Sequence, residues 1–359
     1  MTTTNSMIIL GIESTAHTFG VGVVSASNDN CEVLANVYDR YSNKEHGMVP
    51  EEIVAHHHEC KEQVLNDALS AAKVTWKQID AISYSAGPGI DPILWVGQKY
   101  AKALAEEHQK PLIPVNHCAA HLSIGKIINN AKDPCYLYVS GVNTQVIVQE
   151  DNKYRILGET LDNGMGNMLD KLGRILGLGF PAGPGIEKLA KGGEFIELPY
   201  SVKGMDISFS GLLTKCQQLW ERKPEWGKLY PNKMIIFDKK FDDKTVPSNQ
   251  KLWRKQEHIR KEDICYSLQE TAFAAATEIA ERAMAGCNKN ELILVGGVGA
   301  NKRFCEMLNT MCKERNATFY NVPIDLAGDQ GAMIAWEGFL RKDNHPEMEV
   351  NCKWRTDEV

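Results

Sequence analysis

The stretch VNHCAAHLSIGK, Val115 to Lys126, sets two imidazoles, His117 and His121, four residues apart. Four residues make about one helical turn, so both rings project from one face of a helix. That spacing suits two ligands to one metal ion, and equally two surface residues of an ordinary helix. Cys118, beside them, reads as packing rather than as a nucleophile. The acids that stand near glycine-rich segments are Asp162 and Asp170 in ETLDNGMGNMLDKLGR, Glu187 in PGIEKLAKGG and Asp329 in AGDQGA. Asp329 opens a helical pattern, where an aspartate either caps the helix or reaches a metal.

Three turns have the small residues that let backbone N–H groups approach phosphate oxygens. Gly11 to Thr15 and Ser140 to Thr144 read as the tips of two strand–turn–strand units. Gly296–Gly297, at a strand end before a helix, suits a purine or ribose lying flat on the backbone, with Asn301 placed to hydrogen-bond it. Tight turns also need glycine for their own geometry. No GxxxxGK[ST] occurs, so a P-loop is excluded.

The elements that must carry these residues alternate. MIILGIESTAHTFGVGVVSA reads as strand, turn, strand. IVAHHHECKEQVLNDALSAAK is a helix, IDAISYSAGPG a buried strand, ILWVGQKYAKALAEEH a helix and KPLIPVNH a short strand feeding the His121 helix. The plan then restarts with PCYLYVSGVNTQVIVQE, followed by helical TLDNGMGNMLDKLGRILG, GPGIEKLAKGG and EDICYSLQETAFAAATEIAERAMAG. ELILVGGVGANKRFCEMLNTMCKE is strand, loop, helix, and DLAGDQGAMIAWEGFLRK a loop into a helix. Strands alternating with helices imply an α/β fold, a mixed or parallel sheet covered on both faces. The repeated opening implies two similar halves. Duplicated halves with three such turns point to the actin–Hsp–sugar kinase (ASKHA) type of nucleotide-binding fold, two RNase H-like lobes around a cleft. The expected division is 1–127 for the first lobe, 128–324 for the second, and 325–345 for a loop and helix returning to the cleft. Residues 220–261 break the pattern with Trp226, Trp253 and three prolines. They read as an insertion: a solvated loop, or a basic surface for RNA or a partner.

Bulk properties narrow the class. The 359 residues, 43% hydrophobic and 24% charged, are ordinary for a soluble globular protein of two domains. A formal net charge of −6 restricts nucleic-acid contact to a local patch or a partner subunit. No apolar run is long enough to span a bilayer, and no membrane association is expected. The first residues lack the pattern of a signal peptide. Ten cysteines without a C-x-x-C spacing fit free thiols in a reducing cytoplasm. The HHH at 56–58 is internal, not a tag.

With these blocks in this order, the chain resembles the universal tRNA threonylcarbamoyladenosine transferase family, called TsaD in bacteria and the catalytic KEOPS subunit in archaea and eukaryotes. The matching blocks are GIESTAHTFGVGVV, SAGPG, VNHCAAHLSIGK, YVSGVNTQVI, GETLDNGMGNMLDK, LPYSVKGMDISFSGLLT, DICYSLQETAFA, LVGGVGANKR and GDQGAMIAW. NHC, KGMD and CYSLQE resemble the archaeal and eukaryotic branch. The resemblance implies that the chain transfers a threonylcarbamoyl group from threonylcarbamoyl-AMP to the exocyclic amine of the adenosine 3′ of the anticodon, in tRNAs reading ANN codons.

It also implies a metal, Fe2+ or Zn2+, on His117, His121 and Asp329, with Tyr138 as a further ligand. Substrate or nucleotide would be held by Tyr138, Val139, Ser140, Gly141, Val142 and Asn143, with Asp170, Gly183, Glu187, Gly296, Gly297 and Asn301. ATP or ADP is a further expected ligand. Expected partners are tRNA and the KEOPS-type subunits, a small kinase-like ATPase and a dimerising subunit. Residence would be cytoplasmic, and nuclear as well for a eukaryotic source.

The chain departs from the family pattern at Val142, where a second glycine is usual, at Gln330 in DQGAMIA, at Asp91 and Trp95 after SAGPG, and in DNGMGN. Valine resists positive φ and adds bulk near the expected phosphates. These departures bear on substrate affinity and turnover. Val142 and Trp95 also support a rival, a non-catalytic paralogue serving as a nucleotide-binding scaffold in a KEOPS-like complex. A second rival is a small-molecule kinase or carbamoyltransferase of the same superfold; such kinases rely on a catalytic aspartate, so His117 and His121 argue against it, and no HExxH supports a metalloprotease.

Overall fold

A computed structural model describes residues 6–28, 30–43, 47–221 and 259–359. Two five-stranded sheets dominate it. The first runs in the order β3 (Asn30–Arg40), β2 (Thr18–Ser27), β1 (Met7–Glu13), β4 (Ala81–Gly87), β5 (Leu112–Asn116). The second repeats that order with β8 (Lys153–Glu159), β7 (Thr144–Glu150), β6 (Cys135–Val139), β11 (Glu291–Val295) and β12 (Thr318–Asn321). In each, the first three strands in sequence form an antiparallel meander and the last two join parallel to the first. The same order and directions twice over are the structural form of the repeated sequence plan. A small hairpin, β9 (Val202–Lys203) and β10 (Asp206–Ile207), lies beside the end of β8, bridged to Thr160 through Ile207.

Strand side chains alternate between two covers. On the first sheet Leu10 and Ile12 face α1 (Pro50–Ala72) and α2 (Asp91–His108), while Ile9 faces α3 (His117–Ile128) and α10 (Gly331–Arg341). The second sheet is covered on one face by α4 (Met165–Leu176), α5 (Gly183–Ala190), α6 (Ser210–Glu221), α7 (Lys261–Gly286) and α8 (Lys302–Glu314). Its other face packs on α3 through Tyr136, Tyr138, Ile147 and Val295. Helix α3 is therefore shared. Ala120 and Ile124 sit in the first lobe's core, and Cys118, Ala119 and Leu122 in the core against the second sheet. A single turn of helix, α9 (Ile324–Ala327), leads toward α10.

Helix α10 lies backbone to backbone on β1 and β2. A Cβ at Gly11 would fall 2.2 Å from the Ala335 nitrogen, and one at Gly22 2.0 Å from that of Ala332. This corrects one expectation: Gly11 is strand interior beneath a helix, and the turn after β1 begins at Ser14. Three strands of the two large sheets escape the sequence reading, as do the two-residue strands β9 and β10. β3 and β8 are edge strands with many exposed residues, so they carry no clean apolar alternation, and β12 has only four residues. Of the 220–261 insertion, Trp220 and Glu221 finish α6 and Lys261 opens α7. Residues 222–258, with Trp226 and Trp253, lie outside the described residues.

Candidate active site

Parallel β1, β4 and β5 end together, so Glu13, Gly87 and Asn116 share one rim of the first sheet. Asn116 caps α3, its Oδ1 accepting from the Ala119 N–H at 3.0 Å. The cap fixes where the first turn starts, and His117 and His121 follow on one face of that helix. Their rings meet edge to face, centroids 4.8 Å apart. Asp329 arrives from the loop before α10. Its Oδ1 stands 3.3 Å from His121 Nε2 and 3.5 Å from His117 Nε2, and the three ligand atoms lie within 4.8 Å of one another.

That spacing fits a metal. Donors around a tetrahedral ion with bonds of about 2.1 Å stand about 3.4 Å apart. Two imidazoles and a carboxylate leave coordination positions open for substrate oxygens. The capping alternative for Asp329 is not what the structure has: Gln330 Oε1 accepts from the Met333 N–H and caps α10, leaving Asp329 turned to the histidines.

Glu13, which the sequence reading did not single out, completes the centre. It is fully buried. Oε2 accepts from His117 Nδ1 at 2.9 Å, and Oε1 from the Thr15 N–H at 2.8 Å and hydroxyl at 2.5 Å. A carboxylate only accepts, so Nδ1 carries a proton, and Nε2 is the nitrogen turned toward Asp329 that a metal would take once it displaces any proton there. A charge closing the apolar run MIILGIE was the available signal.

The charges are interlocked. Burial disfavours a charged His117, but Glu13, by charge and hydrogen bond, together with Asp329 lifts its pKa to about 9. Burial dominates at His121 and lowers its pKa, helped by the charge of His117. Burial alone would raise the Asp329 pKa; the His121 hydrogen bond and the charges of His117, His121 and His17 hold it well below the carboxylate range.

Tyr138 lies beside this centre, its ring 5.3 Å from that of His121. Its hydroxyl neighbours are the Cys118 thiol at 3.9 Å and the side chains of Ser140 and Asn143. Beyond Val139 the turn Ser140–Asn143 is closed by Ser140 N–H to Asn143 O at 2.8 Å. Among the described residues, the Gly141 and Val142 amides donate to no protein acceptor. Val142 is exposed and has no positive φ, so the feared strain does not arise.

The neighbouring strand β11 ends at Gly296–Gly297. Gly296 has φ +92°, and a Cβ there would fall 2.4 Å from the Val139 oxygen, so the two turns touch. Ligands of open α/β sheets bind at such strand ends. Glu187 Oε1 accepts from the Lys302 N–H on the same wall. Asn301 makes one bond each way within the protein: its oxygen caps α8 at Phe304, and its nitrogen donates to Gln269 Oε1 at 3.0 Å, which leaves one N–H and one lone pair of the amide for a ligand. Asp170 accepts from the Ala182 N–H, next to Gly183 at the start of α5, and burial raises its pKa. Asp162 is also structural, accepting from the Phe209 and Ser210 N–H groups at the start of α6. Across the mouth of the cleft, His17 meets Phe180 edge to face at 6.4 Å.

Fold and site together define a two-lobed α/β protein of the ASKHA class with a His–His–Asp centre in its cleft. The chain belongs to the tRNA N6-adenosine threonylcarbamoyltransferase family, TsaD, whose model matches residues 32–336. It is 45% identical to the tRNA N6-adenosine threonylcarbamoyltransferase of Thermococcus sibiricus, over 98% of this chain and 99% of that one. It is 44% identical to a probable bifunctional tRNA threonylcarbamoyladenosine biosynthesis protein of Methanococcus vannielii, over 98% of this chain and 57% of that one. In fold it is similar to crystalline HypF of T. kodakarensis, with TM-score 0.57 and 15% identity over 94% of this chain and 47% of that one. The chain is thus a transferase of tRNA threonylcarbamoyladenosine synthesis. No helix among the described residues is long and apolar enough to cross a membrane.

Proposed function

We propose that the cleft transfers the threonylcarbamoyl group of threonylcarbamoyl-AMP to the N6 amine of the adenosine 3′ of the anticodon, in tRNAs reading ANN codons, with AMP leaving. The observation that carries this reading is the convergence of His117 Nε2, His121 Nε2 and Asp329 Oδ1, oriented by Glu13, beside two facing backbone turns.

His117, His121 and Asp329 would hold a divalent ion, iron or zinc, with Tyr138 as a candidate fourth ligand. When bound, it supplies positive charge to donor oxygens. The Gly141 and Val142 amides are oriented donors for the donor's phosphate or carbonyl oxygen, where charge develops during transfer. Gly296–Gly297 offers a bare backbone surface to a purine or ribose, flanked by Glu187, Gly183 and Asp170. AMP is a good leaving group, so positioning the amine is the main task. ATP or ADP would enter the same turns. The acidic chain leaves much of tRNA docking to partners of the KEOPS type, a small kinase-like ATPase and a dimerising subunit. Ten free thiols suit a reducing compartment such as the cytoplasm.

The test is reconstitution with such partners, an enzyme generating threonylcarbamoyl-AMP, and unmodified tRNA. Modified nucleosides are counted by mass spectrometry. Wild type is expected to make threonylcarbamoyladenosine and His117→Ala to make none. Full activity in His117→Ala would remove the metal from the mechanism.

A further inference from the structure

The residues after α10 have no part in the site described so far, yet they run along its back. Tyr84 Oη donates to the Met348 and Glu349 carbonyls, each at 2.9 Å. The Asn351 N–H donates to Ala86 O, and the Gly89 N–H to Cys352 O, so the chain is stitched to the SAGPG turn. Trp354 is buried in the first lobe's core. Asn116, the cap of α3, then donates from Nδ2 to the carbonyls of Trp354 at 3.3 Å and Arg355 at 3.2 Å. The Arg355 side chain reaches the other lobe and bonds Glu159 Oε1 at 3.2 Å. The second Glu159 oxygen accepts from Gln145 Nε2 at 3.1 Å, in the strand that leaves the Ser140–Asn143 turn.

One amide therefore faces two ways. Asn116 Oδ1 sets the first turn of the helix that carries both histidines, and Asn116 Nδ2 is held by the backbone of a segment whose next anchor is in the opposite lobe. We propose that residues 348–358 are a positioning strap for the metal centre, with Asn116 and Arg355 as positioning residues. The strap ties the start of α3 to β8, so the ligand helix is registered against the phosphate-type turn rather than against its own lobe alone. This rests on the metal reading of His117, His121 and Asp329.

The Arg355–Glu159 pair allows a clean test. The two side chains are 46% and 33% exposed, and pairs this open contribute little to global stability. Removing one partner should leave the fold intact and loosen the register. The experiment titrates the full-length, metal-free chain with Zn2+ against a chelator of known affinity. It compares wild type, Arg355→Ala, Glu159→Ala, the double variant and Arg355→Lys, and records the melting temperature of each metal-free protein. The proposal expects each alanine variant to bind Zn2+ about fivefold more weakly, less than the 10–100-fold typical of groups bonded directly to a ligand. The double variant should be no worse than either single one, and Arg355→Lys should recover part of the loss. Melting temperatures should not move. Wild-type affinity in both alanine variants would overturn the strap while leaving the metal reading intact. A loss of affinity matched by an equal loss of metal-free stability would overturn it as general destabilisation. If wild type itself fails to bind Zn2+, the metal reading falls and the strap with it.

Discussion

A carboxylate with no exposed surface needs partners, and Glu13 has three in Thr15 N–H, Thr15 hydroxyl and His117 Nδ1. Replacing it by glutamine keeps the shape but removes the charge and leaves one acceptor oxygen where three donors converge. Glu13→Gln is expected to weaken metal binding roughly 10–100-fold, read by competition with a chelator. Unchanged affinity would deny it an orienting role. His57 gives a second test at this scale. It is fully buried on α1, edge to face with Phe19, and Nδ1 stands 3.1 Å from His56 Nδ1, whose far nitrogen meets Asp39. Burial, then the charge of His56, with those of His17 and His58 behind it, lowers its pKa to about 4, against a hydrogen bond to the Ala16 backbone carbonyl. The unfolded chain takes up this proton near pH 6.5 and the folded chain only near 4. Stability contributed by neutral His57 is therefore present above pH 6.5 and drains away as pH falls to 4, by roughly 2–3 kcal/mol. Urea unfolding at pH 7 and pH 4.5 should show that fall, and His57→Gln should flatten its share. The HHH triplet was visible in the sequence, but its burial was not. Which histidine faces a core depends on a helix packing against β2, and no spacing rule supplies that.

At the scale of elements, α10 lies backbone against backbone on β1 and β2. Gly22→Ala would set its methyl 2.0 Å from a helix nitrogen, and neither backbone can yield without moving the other. The expected cost is about 3 kcal/mol, at the upper end of ordinary overpacking. Asp329, immediately before α10, should also shift from the histidines, so thermal stability and metal affinity should fall together. A variant that melts like wild type would mean that the helix is free to slide. This contact also marks where the sequence was legible. The central strands, long helices and duplicated plan were readable because their apolar periods are strong, as in MIILGIE and TFGVGVV. Edge strands β3 and β8 were not, since strands with so few buried positions carry no clean apolar alternation. His117, His121 and Asp329 were picked out by type, and their convergence stood on the family resemblance, because it is made by two segments about two hundred residues apart. In the sequence Gly11 opens a candidate phosphate-holding turn, whereas its demand for glycine comes from a helix more than three hundred residues away.

For the whole molecule, the chain path makes the two lobes interdependent. The first sheet is built before residue 117, but one of its faces is covered by α10, near the end of the chain, and Trp354 fills part of its other core. Helix α3 contributes to cores on both sides, so neither sheet has a complete cover of its own. Exposing the β1–β2 face would uncover Ile9, Val24 and Ala26 together with the bare backbone at Gly11 and Gly22, and water would compete for that whole surface. Unfolding should then be one cooperative event. Calorimetry of the full chain is expected to give a single transition with equal calorimetric and van't Hoff enthalpies. A fragment ending at Pro323 keeps every strand of both sheets, yet should lose amide protection in β1 and β2 first and bind no metal, since Asp329 is gone. Protection of β1 and β2 in that fragment equal to the full chain's would show that the first lobe folds without its C-terminal cover. The cleft would then be a junction between two independent bodies rather than the seam of one.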